Sequence, residues 1–334
     1  MSLNKKFLNK TAGVDGGIFG VVTYTGNSSD QSITGVGFKP DLVWIKERDD
    51  GVENHNWIDS TRGTGNILSS NLYDKQFASG RFTSFDTDGF TLSNNNESND
   101  SGVAYVAWCW RANGGETSSN EDGDFTSTVQ VNETLGFSIV KYTGGAINST
   151  IGHGLGAVPD FIVVKNMDVD GQGWATQSPV TGGADYHCML NTNQEAKNNV
   201  DWIWNDTEPT SSVFTVGANS ITNGSGEDHI AYCFVSKAGY SKIGGYTGTG
   251  SVGNAQAIGF QPDFIILKRY NLTDNWVIID SVRGEDKYLL ADTDGDEQSL
   301  DILDITSTGW TFKGSSMNNS SDSFIYMAFK IATE

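Results

Sequence analysis

Gly37-Phe38-Lys39-Pro40-Asp41-Leu42-Val43-Trp44-Ile45-Lys46 returns twice further along the chain. It reappears as Gly156-Ala157-Val158-Pro159-Asp160-Phe161-Ile162-Val163-Val164-Lys165 and as Gly259-Phe260-Gln261-Pro262-Asp263-Phe264-Ile265-Ile266-Leu267-Lys268. A Tyr-Thr-Gly triplet precedes each copy. Its tyrosines, Tyr24, Tyr142 and Tyr246, stand 16, 17 and 16 residues before Pro40, Pro159 and Pro262. Constant order at near-constant offset is duplication, so the chain reads as an array of similar modules.

Working outward, a tryptophan follows in each copy, at Trp57, Trp174 and Trp276. Each copy then closes on an apolar run: Tyr105-Val106-Ala107-Trp108, His229-Ile230-Ala231-Tyr232 and Tyr326-Met327-Ala328-Phe329. These boundaries give an N-terminal arm over 1–16, repeats over 17–112, 135–238 and 239–334, and a connector over 113–134. Each repeat is of ordinary domain size. The connector has few apolar residues before Phe125 and reads as a flexible link or a strap over a neighbour. The repeated segments are short, rich in Val, Ile, Phe, Tyr and Trp, and bounded by Gly, Asn, Asp and Ser, which is strand composition. Each repeat's Pro stands where a strand begins, where its missing N–H costs least. The expectation is an all-β protein of three tandem β-sandwiches, with a jelly-roll variant left open. Removing Tyr246 is expected to loosen the third repeat first.

The formal charge of −20 and pI near 4.4 argue against nucleic acid and anionic membranes as partners. No apolar run approaches membrane-spanning length, and Met1-Ser2-Leu3-Asn4-Lys5-Lys6 leads into no apolar signal core, so synthesis in a cytoplasm without membrane insertion is expected. Lys5, Lys6 and Lys10 form a basic arm before an acidic body, a candidate docking peptide. Of three cysteines, Cys109 and Cys233 follow the Ala-aromatic pair of two repeats, with Lys330 read as their counterpart in the third. Buried free thiols are expected, not a disulfide framework.

No nucleophile elbow and no phosphate loop is present, and His55, His153, His187 and His229 lack metal-ligand spacing. Asp292-Thr293-Asp294-Gly295-Asp296-Glu297 begins like a calcium loop, but Glu297 replaces the required Gly and Leu303 the bidentate Glu. No cofactor is expected, with an adventitious calcium on that acidic turn left open. Asp59 with Arg62 and Asp280 with Arg283 are the best polar constellations, each able to join a turn to a strand end. Trp44, Trp57, Trp108 and Trp110 lie in strand-like segments and read as core.

These phrases, with Asp124-Phe125-Thr126-Ser127-Thr128-Val129-Gln130-Val131-Asn132 running into Gly136-Phe137-Ser138-Ile139-Val140-Lys141-Tyr142-Thr143-Gly144, resemble a repeat family of tailed, mainly marine, bacteriophage virion proteins of unassigned activity. The resemblance covers nearly the whole chain from about residue 17. It implies a non-enzymatic structural component of the virion, with other capsid or tail proteins as partners. A capsid knob or decoration protein is the first expectation. A receptor-binding tail protein touching host surface glycans is the second, and a polysaccharide-active enzyme a remote third. No functional residues are established for that family. Tyr24, Tyr142, Tyr246, Pro40, Pro159, Pro262, Asp41, Asp160 and Asp263 therefore stand as repeat-defining structural residues.

Overall fold

The structure is a computed structural model and describes residues 17, 19–49, 51, 53–198 and 201–331. The chain is all-β. Among the described residues the exceptions are two four-residue helices, Asn96–Asn99 and Ser220–Asn223, and two short 3-10 turns. The basic arm with Lys5, Lys6 and Lys10 lies outside the described residues.

Three large antiparallel sheets share one strand order, and we call the segments that form them units one, two and three. In unit one, Ala104–Trp110 lies between Phe19–Thr25 and Leu42–Glu47, and Asn56–Asp59 follows on the outer side. In unit two, Asp228–Phe234 lies between Phe137–Thr143 and Phe161–Asn166, with Trp174–Gln177 and Tyr186–Met189 beyond. In unit three, Ser323–Phe329 lies between Ser241–Thr247 and Phe264–Arg269, with Trp276–Asp280 and Lys287–Leu290 beyond. A smaller sheet accompanies each, such as Ala255–Ala257, Gly309–Phe312 and Leu303–Thr306 in unit three.

Both faces of each large sheet are covered, which is why the Pro-Asp strands are nearly continuous apolar runs. One face packs on the unit's own small sheet: Val43, Ile45 and Cys109 meet Ile33, Phe82 and Phe90. Side chains alternate along a strand, so Leu42, Trp44, Trp108 and Trp110 point the other way. There they join Phe161, Val163 and Tyr232 of unit two and Phe264, Ile266 and Met327 of unit three in a single apolar core. At its centre the rings of Trp110, Phe234 and Phe329 form a triangle, with centroids 5.8 to 6.4 Å apart. The three units thus share a core that none could bury alone.

Strand pairing corrects three sequence alignments, each by two residues. Trp57 pairs with Trp44, as Ile278 pairs with Ile266, so the unit-one counterpart of Trp174 and Trp276 is His55. Cys109 and Cys233 pair with Val43 and Ile162, and the matching pair in unit three is Ala328 with Ile265, so Ala328, not Lys330, is their counterpart. Likewise Phe324, not Tyr326, matches Tyr105 and His229. A two-residue slip keeps every side chain on its proper face, so the apolar pattern gives no warning of it. All three cysteines are free and buried.

The connector is neither loose nor separate. Ser118–Asn120 and Ser127–Asn132 extend the unit-two sheet. Gln130 from this strap donates to Ser60 and Thr61 of unit one at 2.9 and 2.7 Å.

Candidate functional site

The repeated residues build the frame. Each Pro is buried before its strand, and the following aspartate N–H bonds the last strand: Asp41 to Trp110, Asp160 to Phe234 and Asp263 to Phe329. The carboxylates pin the chain leaving that strand. Asp41 accepts from the Ala112 and Gly114 amides, Asp160 from the Ser236 amide and Asp263 from the Ile331 amide. Tyr24 stacks on Tyr105, Tyr142 on His229 and Tyr246 on Phe324, centroids 4.8 to 5.2 Å apart. Their hydroxyls donate to the carbonyls of Ser98, Thr222 and Met317.

One repeated device escaped the sequence reading. The residue after each of those carbonyls is a fully buried asparagine: Asn99, Asn223 and Asn318. Each accepts a main-chain amide after the Tyr-Thr-Gly triplet, from Asn27, Gly145 and Thr249, and each amide group donates to nearby carbonyls. The neighbouring residues differ in the three copies, so only the offset from the last strand could have signalled it.

The seams between units follow one cyclic rule. His55 Nε2 meets the Leu290 carbonyl of unit three at 3.0 Å, and Trp174 Nε1 donates to Ser69 O of unit one. Trp276 Nε1 donates to Met189 O of unit two, so the ring closes. His55 Nδ1 accepts from Trp44 Nε1 at 2.7 Å, so Nε2 carries the proton. Burial holds the His55 pKa down at about 3. Lys165 and Lys268 repeat the rule with buried ammonium groups on Tyr73 O and Asn193 O, and burial lowers both to about 8. Lys46, their counterpart, is buried toward Asp294 and Asp296 of unit three, and among the described residues its ammonium has no hydrogen-bond partner.

The two Asp–Arg constellations belong to these seams. Asp59 pairs with Arg62 and receives the Tyr232 hydroxyl of unit two at 2.7 Å. Asp280 pairs with Arg283 and receives Trp108 Nε1 of unit one at 3.0 Å, while the guanidinium lies over the Trp108 ring. In the same cyclic order unit three would offer Met327 to unit two, and methionine donates no hydrogen bond. Unit two has Ser178 where the others have the aspartate. The calcium-like run is a clasp as well: Glu297 takes Arg48 of unit one through two bonds of 2.9 Å and Arg283 through a third of 3.1 Å. Asp292 accepts the Trp276 amide, and burial lifts its pKa to about 6. Among the described residues no His, Cys, Asp and Glu group has metal-binding geometry.

A cleft of about 330 Å³ opens in unit three between its large sheet and the loops that carry Leu300, Ile302, Ser316 and Asn319. Val277 and Leu290, a cross-strand pair, and Tyr288 form one wall, with Ile302 and Met317 opposite. Asn275, Ser316 and Asn319 edge it, and Arg269 lies at one end in ion pairs with Asp274 and Asp322. None of the residues named in advance lines it.

The family model titled "Domain of unknown function (DUF7483)" matches residues 15–332. The chain belongs to that family. The DUF7483 match spans all three units and the strap. No curated protein and no solved structure matches the chain.

Proposed function

We propose that the chain is a non-enzymatic structural protein on the surface of a bacteriophage particle, a capsid knob or decoration protein. The observation that carries this reading is the closed ring. Three units contact one another in one cyclic order around a common core, so a single chain approximates a threefold body. Such a body fits a threefold or quasi-threefold position on a shell, where each unit meets an equivalent subunit. The resemblance to virion proteins points the same way. The repeat-defining tyrosines and aspartates are committed to main-chain clamps, which agrees with a structural role for them.

Copy number tests the proposal. Quantitative mass spectrometry of purified particles should find the protein in proportion to the major shell protein. A few copies, confined to the tail, would replace this reading with that of a receptor-binding tail protein. Deleting residues 1–12 tests the docking arm: the β-body should still fold, and incorporation into particles should be lost.

A further inference from the structure

We infer that the cleft of unit three is a binding site for a neutral saccharide. The repeats serve as an internal control. At the places of Val277 and Leu290, unit one carries Asn56 and Ser69, both buried. Unit two carries Ala175 and Met189, and its own segment drives Ile203 and Trp204, both fully buried, into the cluster around them. Unit three keeps the pair aliphatic, and at the places of Ile203 and Trp204 it carries Ile302 and Leu303, both buried, so the plug shrinks from Phe82 in unit one and Trp204 in unit two to a leucine beside the cleft.

The chemistry of the walls selects the ligand. At about 330 Å³ the cleft falls at the lower end of ligand pockets, roughly 300–1,000 Å³. Half-buried Tyr288 and Leu290, with exposed Leu300, suit the C–H face of a sugar ring. Ser316, Asn275 and Asn319 present a hydroxyl and two amides at the rim, groups that both donate and accept, as sugar hydroxyls require. An anion is disfavoured twice. Arg269, the cation of the cleft, already holds Asp274 and Asp322, and the chain carries a net charge of −20. A purely apolar ligand would strand the polar rim. The site does not depend on where the protein sits on a particle, so it stands or falls apart from the proposed shell position.

Saturation-transfer NMR on the full chain tests it, with maltotriose, cellotriose and chitotriose as neutral probes and polygalacturonate fragments as the acidic comparison. At least one neutral probe should bind, with affinity falling at least tenfold in Asn275→Ala/Asn319→Ala. Tyr288→Ala should abolish binding. Because Tyr288 also packs against the unit-three core, the rim double variant is the deciding one, with its circular-dichroism spectrum matched to the parent. No transfer to any neutral probe overturns the inference, as does binding that survives the rim substitutions. Preference for the acidic fragments would overturn the neutral-ligand assignment.

Discussion

His55 occupies a place that tryptophan fills in the other two units, and the exchange makes one of the three seams sensitive to acid. Its Nδ1 must accept from Trp44 while Nε2 donates to Leu290 O, so protonation removes the acceptor. The folded pKa of about 3 lies below the ordinary histidine value of 6.5. A depressed pKa means the unfolded chain binds the proton more readily. The contribution to stability is therefore present above pH 6.5 and lost progressively as pH falls toward 3. By pH 4 the loss should reach roughly 3 kcal/mol. His187, held near 4, and His153 and His229, also lowered by burial, add to the same slope. The measurement is the fall in melting temperature between pH 7 and pH 4 in the parent and in His55→Gln. Glutamine supplies a donor and an acceptor without titrating, so the variant should fall less. Equal falls would remove His55 from the account. The asparagine clamps belong to this scale too, and they were invisible in the sequence because an isolated Asn among dozens of polar loop residues carries no periodic signal.

At the scale of elements, the hairpins of the small sheets depend on two glycines. Gly89 and Gly309 end two-residue loops with φ of +149° and +155°. A Cβ on Gly309 would lie 1.8 Å from the Gln256 carbonyl oxygen of the adjacent strand, and one on Gly89 would lie 1.9 Å from Ile33 O. Backbone, not a movable side chain, is in the way. Gly309→Ala should therefore cost at least about 2 kcal/mol, since strain of this kind alone costs of order 1–3 kcal/mol. Gly314→Ala, where an added Cβ meets nothing within 4 Å, should stay within about 0.5 kcal/mol of the parent. Urea unfolding of the two variants checks the contrast, and similar midpoints would show that the hairpin relaxes. Strand composition marked these elements well. The two-residue errors in aligning the units arose because period-two patterning is blind to even slips.

For the whole molecule, the common core alters what a mutation does. The sequence suggested that Tyr246→Ala would loosen the third repeat first, as separate sandwiches would allow. Instead Phe19 of unit one stacks on Phe329 of unit three, and Trp57 of unit one meets Trp174 and Tyr232 of unit two. Units that bury one another's large-sheet faces lose that burial together. Trp110→Ala, at one corner of the aromatic triangle, should cost roughly 3–5 kcal/mol and still give a single unfolding transition. Limited proteolysis during that transition should degrade all three units at the same midpoint. Survival of a protected fragment spanning one unit would show that the shared core is dispensable.

The sequence by itself determined the class of the fold and the recurrence of its parts, because strand patterning and the Pro-Asp phrase are local signals repeated in chain order. It also marked the buried Asp–Arg pairs, whose three-residue spacing sets the contact within one turn. What joins the units was decided only in three dimensions. The ring closure of His55 on Leu290, the donors Tyr232 and Trp108 on the two aspartates, and the shared core bring together residues from opposite ends of the chain, such as Phe19 and Phe329. The cleft of unit three likewise lies between its large sheet and the loops that carry Leu300, Ile302, Ser316 and Asn319, and a gap that loops leave over a sheet is not written in the strands.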